Sequence, residues 1–349
     1  MSSADDRALP MIDLSGYINP RSPGERQQVI DQVRDAARRY GFFQAKGHGI
    51  PLGPQKDLLR SLPKEEKLKM SFLENPCRRG YEAAGMSHRE GDALPDAKET
   101  CYIRCFFVGR EDPVVELSGF YGPNVWPDLP EADFRGPVWS YYQKTSELGK
   151  TIWSILLEGL GQPPSLVEQF AKRPIVPMKL IRYPPHSHAA AGQFGIGAHT
   201  DFGGVTILFQ QPGKDGLEVW HESREEWIAV PALENIYVIN CGDMVQRWSG
   251  QAYKSARHRV INKSAGERMS CATFWHGDVH ATNPLRPDDH NKETVGLLLA
   301  KRFRNQYSIS KEILAEVGVE TEPSGWLVGT INAGGRLYSL HTSLKVYGV

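Results

Sequence analysis

The sequence predicts an α+β protein whose core is mainly β, of the sandwich or jelly-roll kind, with helices before and after it. Three observations predict this. Up to about residue 175, apolar side chains recur at helical spacing. From Met178 onward, short β-branched runs are broken by Gly, Pro, Asn and Asp at intervals of roughly ten residues, the signature of many short strands. After about Thr294, helical spacing returns with Leu297, Leu298, Lys301 and Phe303.

The elements follow in order. Ser22-Pro23-Gly24-Glu25 combines a capping box with proline in the first turn, so a helix starts there. Val29, Ile30, Val33, Ala37 and Tyr40 mark one face of it, and Gly41 is placed to end it. A short strand, Phe42 to Ala45, precedes the Gly47-His48-Gly49 turn. A longer helix is signalled from about Pro137 by Val138, Tyr141, Leu148, Ile152, Ile155 and Leu156, with Gly161 at its C-terminus. The predicted strands then include Val205–Phe209, Leu217–Trp220, Trp227–Val230, Ile236–Ile239 and Met269–Trp275. No repeat or low-complexity linker separates the two halves, which favours one compact unit.

Composition narrows the function. The 349 residues carry 41 basic and 41 acidic side chains, so no global field favours nucleic acid or an anionic membrane. Five cysteines, Cys77, Cys101, Cys105, Cys241 and Cys271, follow no zinc-ribbon or disulfide spacing, which suits a reducing compartment. Met1 to Pro10 contains charged residues and no apolar h-region, and nowhere is there an uncharged apolar run long enough to span a membrane. The expected location is cytoplasmic and the expected partner a small molecule; the oligomeric state is not specified.

His199, Asp201 and His258 are the candidate metal ligands. Two imidazoles and one carboxylate leave half an octahedral sphere open, enough for oxygen and a co-substrate, so redox chemistry is expected. A His-x-Asp pair alone decides little, because His88 with Glu90 and His276 with Asp278 also place an acid two residues on. His88 lies in a polar, glycine-flanked stretch, and His276 has no third ligand at a strand's return distance and is better suited to lining a cleft. His199 and Asp201 instead precede a strand, and His258 arrives 57 residues after Asp201, room for several strands to bring the chain back. Alternation places Ala256, His258 and Val260 on an inner face and Arg257 and Arg259 on the other. Arg268 and Ser270 share a face in the same way. A dicarboxylate would satisfy both, through the arginine fork and the serine hydroxyl, whereas an isolated pair would suggest an internal salt bridge.

The order His199-x-Asp201, His258, Arg268-x-Ser270 resembles the iron(II) and 2-oxoglutarate-dependent oxygenases of the isopenicillin N synthase-like family. Further matches are Pro10 to Leu14, Gly41-Phe42-Phe43, Gly47 to Ile50, Leu180 to Pro185, Ile239 to Asp243 and Tyr253-Lys254-Ser255. Ile181-Arg182-Tyr183-Pro184 stands where many plant members have Asn-Tyr-Tyr-Pro, and a similar stretch occurs in the branch that uses oxygen without 2-oxoglutarate. The resemblance implies a distorted double-stranded β-helix. It implies a packing region at 1–174, the oxygenase core at 175–310 and a C-terminal segment at 311–349, with Arg302-Phe303 and the chain from there to Val349 forming a candidate lid. It also implies that His199, Asp201 and His258 hold Fe(II), while Arg268, Ser270 and Tyr183 bind 2-oxoglutarate. With O2 the enzyme would oxidise a small organic, natural-product-like substrate by hydroxylation, desaturation, epoxidation or ring formation, releasing succinate and CO2. Candidate substrate contacts are Arg79, Tyr81, Tyr102, Arg104, Phe274 and Trp275. Three alternatives stay open at this point: an iron oxidase that does not use 2-oxoglutarate, a zinc hydrolase, and a non-catalytic module that binds a small acid.

Overall fold

The computed structural model describes residues 8–50, 64–71, 79–84, 94–104, 124–185, 193–288, 293–299, 320–321, 326–333 and 336–343. Two sheets face each other across an apolar interior. The larger has eight strands, in the order Met11–Asp13, Phe42–Lys46, Tyr237–Cys241, Val205–Gln210, Arg268–Trp275, Pro177–Tyr183, Glu99–Arg104 and Gly80–Glu82. The smaller runs Glu226–Val230, Leu217–His221, His258–Val260 and Ile196–His199. Four strands of the large sheet come from before residue 105, so the N-terminal part is hydrogen-bonded into the same sheet as the core.

Strand alternation sorts the two faces. Phe42, Ile181, Tyr183, Val238 and Ala272 of the large sheet meet Ile196, Leu217, Val219, Val230 and Val260 of the small one, filling the space between them. The opposite face of the large sheet, with Met178, Leu180, Ile207, Ile239, Cys271 and Trp275, packs against the helices. This is the double-stranded β-helix, with the described long helices covering the outer face of the large sheet.

Both predicted helices form. Pro23–Arg39 begins with the Ser22 hydroxyl accepting from the Glu25 amide at 3.3 Å, while the Glu25 carboxylate accepts from the Arg21 amide at 2.8 Å. It ends at Gly41 (φ +68°), where a Cβ would lie 2.4 Å from the Lys254 carbonyl oxygen, so only glycine lets the chain turn into its strand there. Arg135–Gly159 lies on the large sheet, where Gly149 approaches so closely that a Cβ would stand 2.6 Å from the Trp275 ring. The predicted strands appear with shifts of a residue or two at their ends.

The C-terminal part differs from the helical expectation. Backbone is helical at 295–299, but further on Glu320–Thr321, Trp326–Ala333 and Arg336–Ser343 form a three-stranded antiparallel sheet. Trp326–Ala333 carries Val328, Thr330 and Ile331, whose β-branched side chains favour a strand. Arg302, Phe303, Gly334 and Gly335 lie outside the described residues.

Candidate functional site

His199 ends one strand of the small sheet and His258 begins its neighbour, and the two are directly opposite in the antiparallel ladder. Their rings stand 4.2 Å apart, centroid to centroid. Asp201 follows two residues after the end of the first strand's pairing, and its Oδ1 lies 3.8 Å from Nε2 of each histidine. One atom from each of the three lies within 4.8 Å of the others, and among the described residues this is the one such group of metal-ligating side chains.

The surroundings aim those atoms inward. Nδ1 of His199 donates to the Gly197 carbonyl at 2.8 Å and Nδ1 of His258 to the Ala256 carbonyl at 3.2 Å, leaving both Nε2 lone pairs directed at the shared centre. Asp201 Oδ2 accepts from the Thr206 hydroxyl at 2.6 Å and from the Asn240 amide at 2.8 Å, so Oδ1 is the oxygen left facing the histidines. The turn carrying Asp201 is held by the start of the short helix Asp243–Trp248. Its Asp243 amide donates to the Asp201 carbonyl at 2.7 Å, and its Met244 amide to that of Gly203 at 3.1 Å. The stretch Ile239 to Asp243 thus has a definite task, which a single sequence does not disclose because its partners lie about 40 residues away. Tyr253 likewise anchors the approach to His258, through a hydroxyl that donates to the Leu156 carbonyl at 2.8 Å.

Arg268, Ser270 and Tyr183 come together on the inner face of the large sheet. Arg268 and Tyr183 are paired in register, the guanidinium lies 4.7 Å from the Tyr183 ring centroid, and the Ser270 and Tyr183 hydroxyls are 3.5 Å apart. All three are buried. Arg268 donates to two neutral acceptors, the Lys214 carbonyl at 3.1 Å and Gln210 Oε1 at 2.8 Å, and Asp215 acts on its charge, but among the described residues no carboxylate forms an ion pair with it. Its Nη1 is buried without a hydrogen-bond partner. Burial lowers the guanidinium from its ordinary value. Among the described residues no internal salt bridge accounts for this arginine; a buried cation with a free donor fits an anionic ligand. The two-nitrogen, one-oxygen donor set correspondingly fits Fe(II).

The remaining candidates separate by face. Phe274 lies on the same strand and face as Arg268 and Ser270, in register with Thr206, the residue that holds Asp201. Trp275 points the other way, into the helix-sheet core against Trp153 and Phe170, and its expected substrate contact is corrected accordingly. Tyr81 is also corrected: it packs with Met70 in a separate cluster, and its hydroxyl donates to Glu99 at 2.6 Å. Arg79 is fully buried just ahead of Gly80–Glu82. Tyr102 and Arg104 register opposite Lys179 and Pro177. The competing pair resolves as structural, since His276 Nδ1 accepts from the Gly204 amide at 3.2 Å and Asp278 caps the His280 amide at 3.0 Å. His88 lies outside the described residues.

Comparison with known proteins agrees with this geometry. The 2OG-Fe(II) oxygenase superfamily matches at residues 175–277 and the family of the N-terminal region of non-haem dioxygenases in morphine synthesis at 9–129. The 2-oxoglutarate-dependent dioxygenase thnC of Trichoderma harzianum is 69% identical over 322 residues, covering 90% of this chain and 99% of the relative. The 2-oxoglutarate-dependent dioxygenase caaD of Aspergillus niger is 46% identical, covering 86% of this chain and 94% of the relative. In fold, the chain resembles the crystal structure of a full-length Neurospora crassa protein in complex with alpha-KG, with a TM-score of 0.70, 23% identity and coverage of 86% of this chain and 97% of that one. Neither a 2-oxoglutarate-independent oxidase nor a non-catalytic module is favoured by these relatives. The chain belongs to the 2OG-Fe(II) oxygenase superfamily and is a 2-oxoglutarate-dependent dioxygenase that uses Fe(II), 2-oxoglutarate and O2.

Proposed function

We propose that His199, Asp201 and His258 are the iron ligands and that Arg268, Ser270 and Tyr183 hold the far carboxylate of 2-oxoglutarate. The observation that carries this assignment is the pairing of a three-ligand group already aimed by its hydrogen bonds with a buried arginine whose Nη1 has no partner. When bound, iron and 2-oxoglutarate supply the oxidative chemistry, with O2 consumed and succinate and CO2 released. The protein's own part is to position and to keep water out. Asp201 presents one oxygen because Thr206 and Asn240 occupy the other. The histidines present Nε2 because backbone carbonyls hold Nδ1. Val219, Val260, Phe42 and Ile181 make the interior apolar, which strengthens the contact between Arg268 and an anion.

The substrate in this reading is a small organic molecule of the natural-product kind, oxidised at a carbon held beside Phe274. The Glu99–Arg104 strand, which carries Tyr102 and Arg104, contributes further contacts. The packing region, core and C-terminal segment divide as 1–174, 175–310 and 311–349. A cytoplasmic setting is supported by the free, buried thiols of Cys241 and Cys271. Anaerobic addition of Fe(II) and 2-oxoglutarate, followed by visible absorption, tests the assignment. A charge-transfer band is expected in the wild type and is lost in Arg268→Ala at the same 2-oxoglutarate concentration; a band of equal strength in both refutes the role of Arg268. Substrate-stimulated succinate release from candidate small molecules then identifies what is oxidised.

A further inference from the structure

We propose that Asp96 is a positioning residue for the metal centre: it holds the amide that a bulge in the His199 strand leaves open, and so fixes the carbonyl that orients the His199 ring. The inference rests on reading His199 as a metal ligand. The ladder between the two histidine strands is irregular. His258 pairs with His199 and Val260 with Ile196, so one strand advances three residues while the other advances two. The irregularity reaches back to Gly195, whose amide donates at 2.9 Å to the carbonyl of Val260, the partner of Ile196. The bulge spans Gly197 and Ala198, immediately before the ligand, where bulges commonly re-aim a side chain.

Gly197 is the hinge of this arrangement. Its carbonyl accepts from His199 Nδ1 at 2.8 Å, and its amide donates to Asp96 Oδ1 at 2.9 Å. A glycine in a bulge has wide backbone freedom, and Asp96 removes it. Asp96 is itself well anchored. Its Oδ2 lies 3.2 Å from Lys98 Nζ, Lys98 lies 3.8 Å from Glu82 Oε1, and Glu82 Oε2 accepts from the Thr100 hydroxyl at 2.8 Å. These four side chains are 0–4% exposed. The Ala97 amide donates to the Phe194 carbonyl and the Gln193 side chain to the Pro95 carbonyl, both at 3.0 Å, which ties the whole 95–98 strap to the same strand. A continuous polar line thus runs from Thr100, on the strand next to one edge of the large sheet, to the first ligand.

The test compares Asp96→Ala, which removes the acceptor of the Gly197 amide, with Glu82→Ala, which touches the same lysine but not Gly197. Co(II) binding to the metal-free protein, without co-substrate, is followed by visible absorption, with His199→Ala as reference. Wild type is expected to bind and His199→Ala not to. Asp96→Ala is expected to weaken binding about tenfold or more, the usual effect of losing support behind a ligand, and Glu82→Ala by less than about twofold. Unchanged affinity in Asp96→Ala, or equal losses in both variants, overturns the inference. Failure of the wild type to bind Co(II), or undiminished binding by His199→Ala, instead removes the metal reading of His199. Should Asp96→Ala not fold, amide exchange in wild type decides: the Gly197 amide is protected to the same degree as its ladder neighbours, and rapid exchange there overturns the proposal.

Discussion

The metal end and the co-substrate end of the interior are built in opposite ways. Around the metal group the supporting bonds are made within the protein: both histidine Nδ1 atoms and Asp201 Oδ2 are engaged by backbone carbonyls and side chains. Around Arg268 one buried donor has no partner. The difference follows from what each ligand brings. A metal ion contributes no directional hydrogen bonds, so the protein must fix its donors in advance, whereas a carboxylate brings its own acceptors and needs a donor left for it. A free buried donor costs stability, of the order of 1–3 kcal/mol, and that cost is relieved when the anion binds.

Breaking each end separately tests this contrast. His199→Ala or Asp201→Ala is expected to abolish turnover and to reduce iron affinity by more than the roughly 10–100-fold that losing a supporting residue would cause. Metal titration and oxygen uptake measure both; retention of near-normal iron affinity contradicts the ligand assignment. Arg268→Ala is expected to raise the 2-oxoglutarate dissociation constant roughly 10- to 100-fold, the value of one or two charge-assisted bonds, while iron affinity stays within about twofold. Arg268→Lys is not expected to restore binding, because an ammonium lacks the planar fork. If iron affinity falls as steeply as 2-oxoglutarate affinity, the two ends are not separable.

Much of this was legible in the sequence because strands repeat with period two. The face shared by Ala256, His258 and Val260, and that shared by Arg268 and Ser270, needed only alternation, and both hold in the structure. What alternation could not supply was the sheet order. Phe274 and Trp275 are neighbours in sequence yet belong to opposite faces, and only Phe274 lies beside Thr206 and the site. Thr206, Asn240 and Asp96 were missed because their roles depend on hydrogen bonds across 5, 39 and 101 residues, and nothing in their local composition marks them. The bulge at Gly197 is legible only as glycines at 195 and 197 within a strand-like run. The C-terminal strands were hidden by an apolar pattern at Leu297 and Leu298 that continued the helical reading past its end.

Thr206→Val sharpens the contrast at the metal end, because it keeps the side chain's shape and removes only the 2.6 Å bond to Asp201 Oδ2. Asn240 still holds the same oxygen, so the expected loss of iron affinity is at the lower end, about tenfold, with 2-oxoglutarate affinity at a fixed saturating iron level unchanged. Competition against a chelator measures it. An effect on 2-oxoglutarate alone would show that Thr206 serves the wrong end of the site.

The smallest effect expected lies outside both ends. Glu218 is a buried carboxylate in register with Arg259, on the strand next to the one that carries His258, and it accepts from Arg259 at 2.7 Å and from the more exposed Lys263 at 2.8 Å. Burial alone would raise its pKa, but the hydrogen bonds from Lys263 and Arg259 outweigh burial and hold it below the ordinary carboxylate value of 4.5. A depressed folded-state value means that the stabilisation is complete above the unfolded-state pKa and is lost as pH falls through the folded one. Glu218→Gln is therefore expected to lower stability by about 1–2 kcal/mol at neutral pH, with Lys263 adding little because its charge is screened by solvent. The gap from wild type should narrow as pH falls through the lowered folded-state pKa and wild-type Glu218 protonates. Urea unfolding at neutral and at acid pH measures it. Iron and 2-oxoglutarate affinities should be unaltered, since this ion pair braces the small sheet from the side away from the ligands; a pH-independent gap would assign the loss to packing rather than to charge.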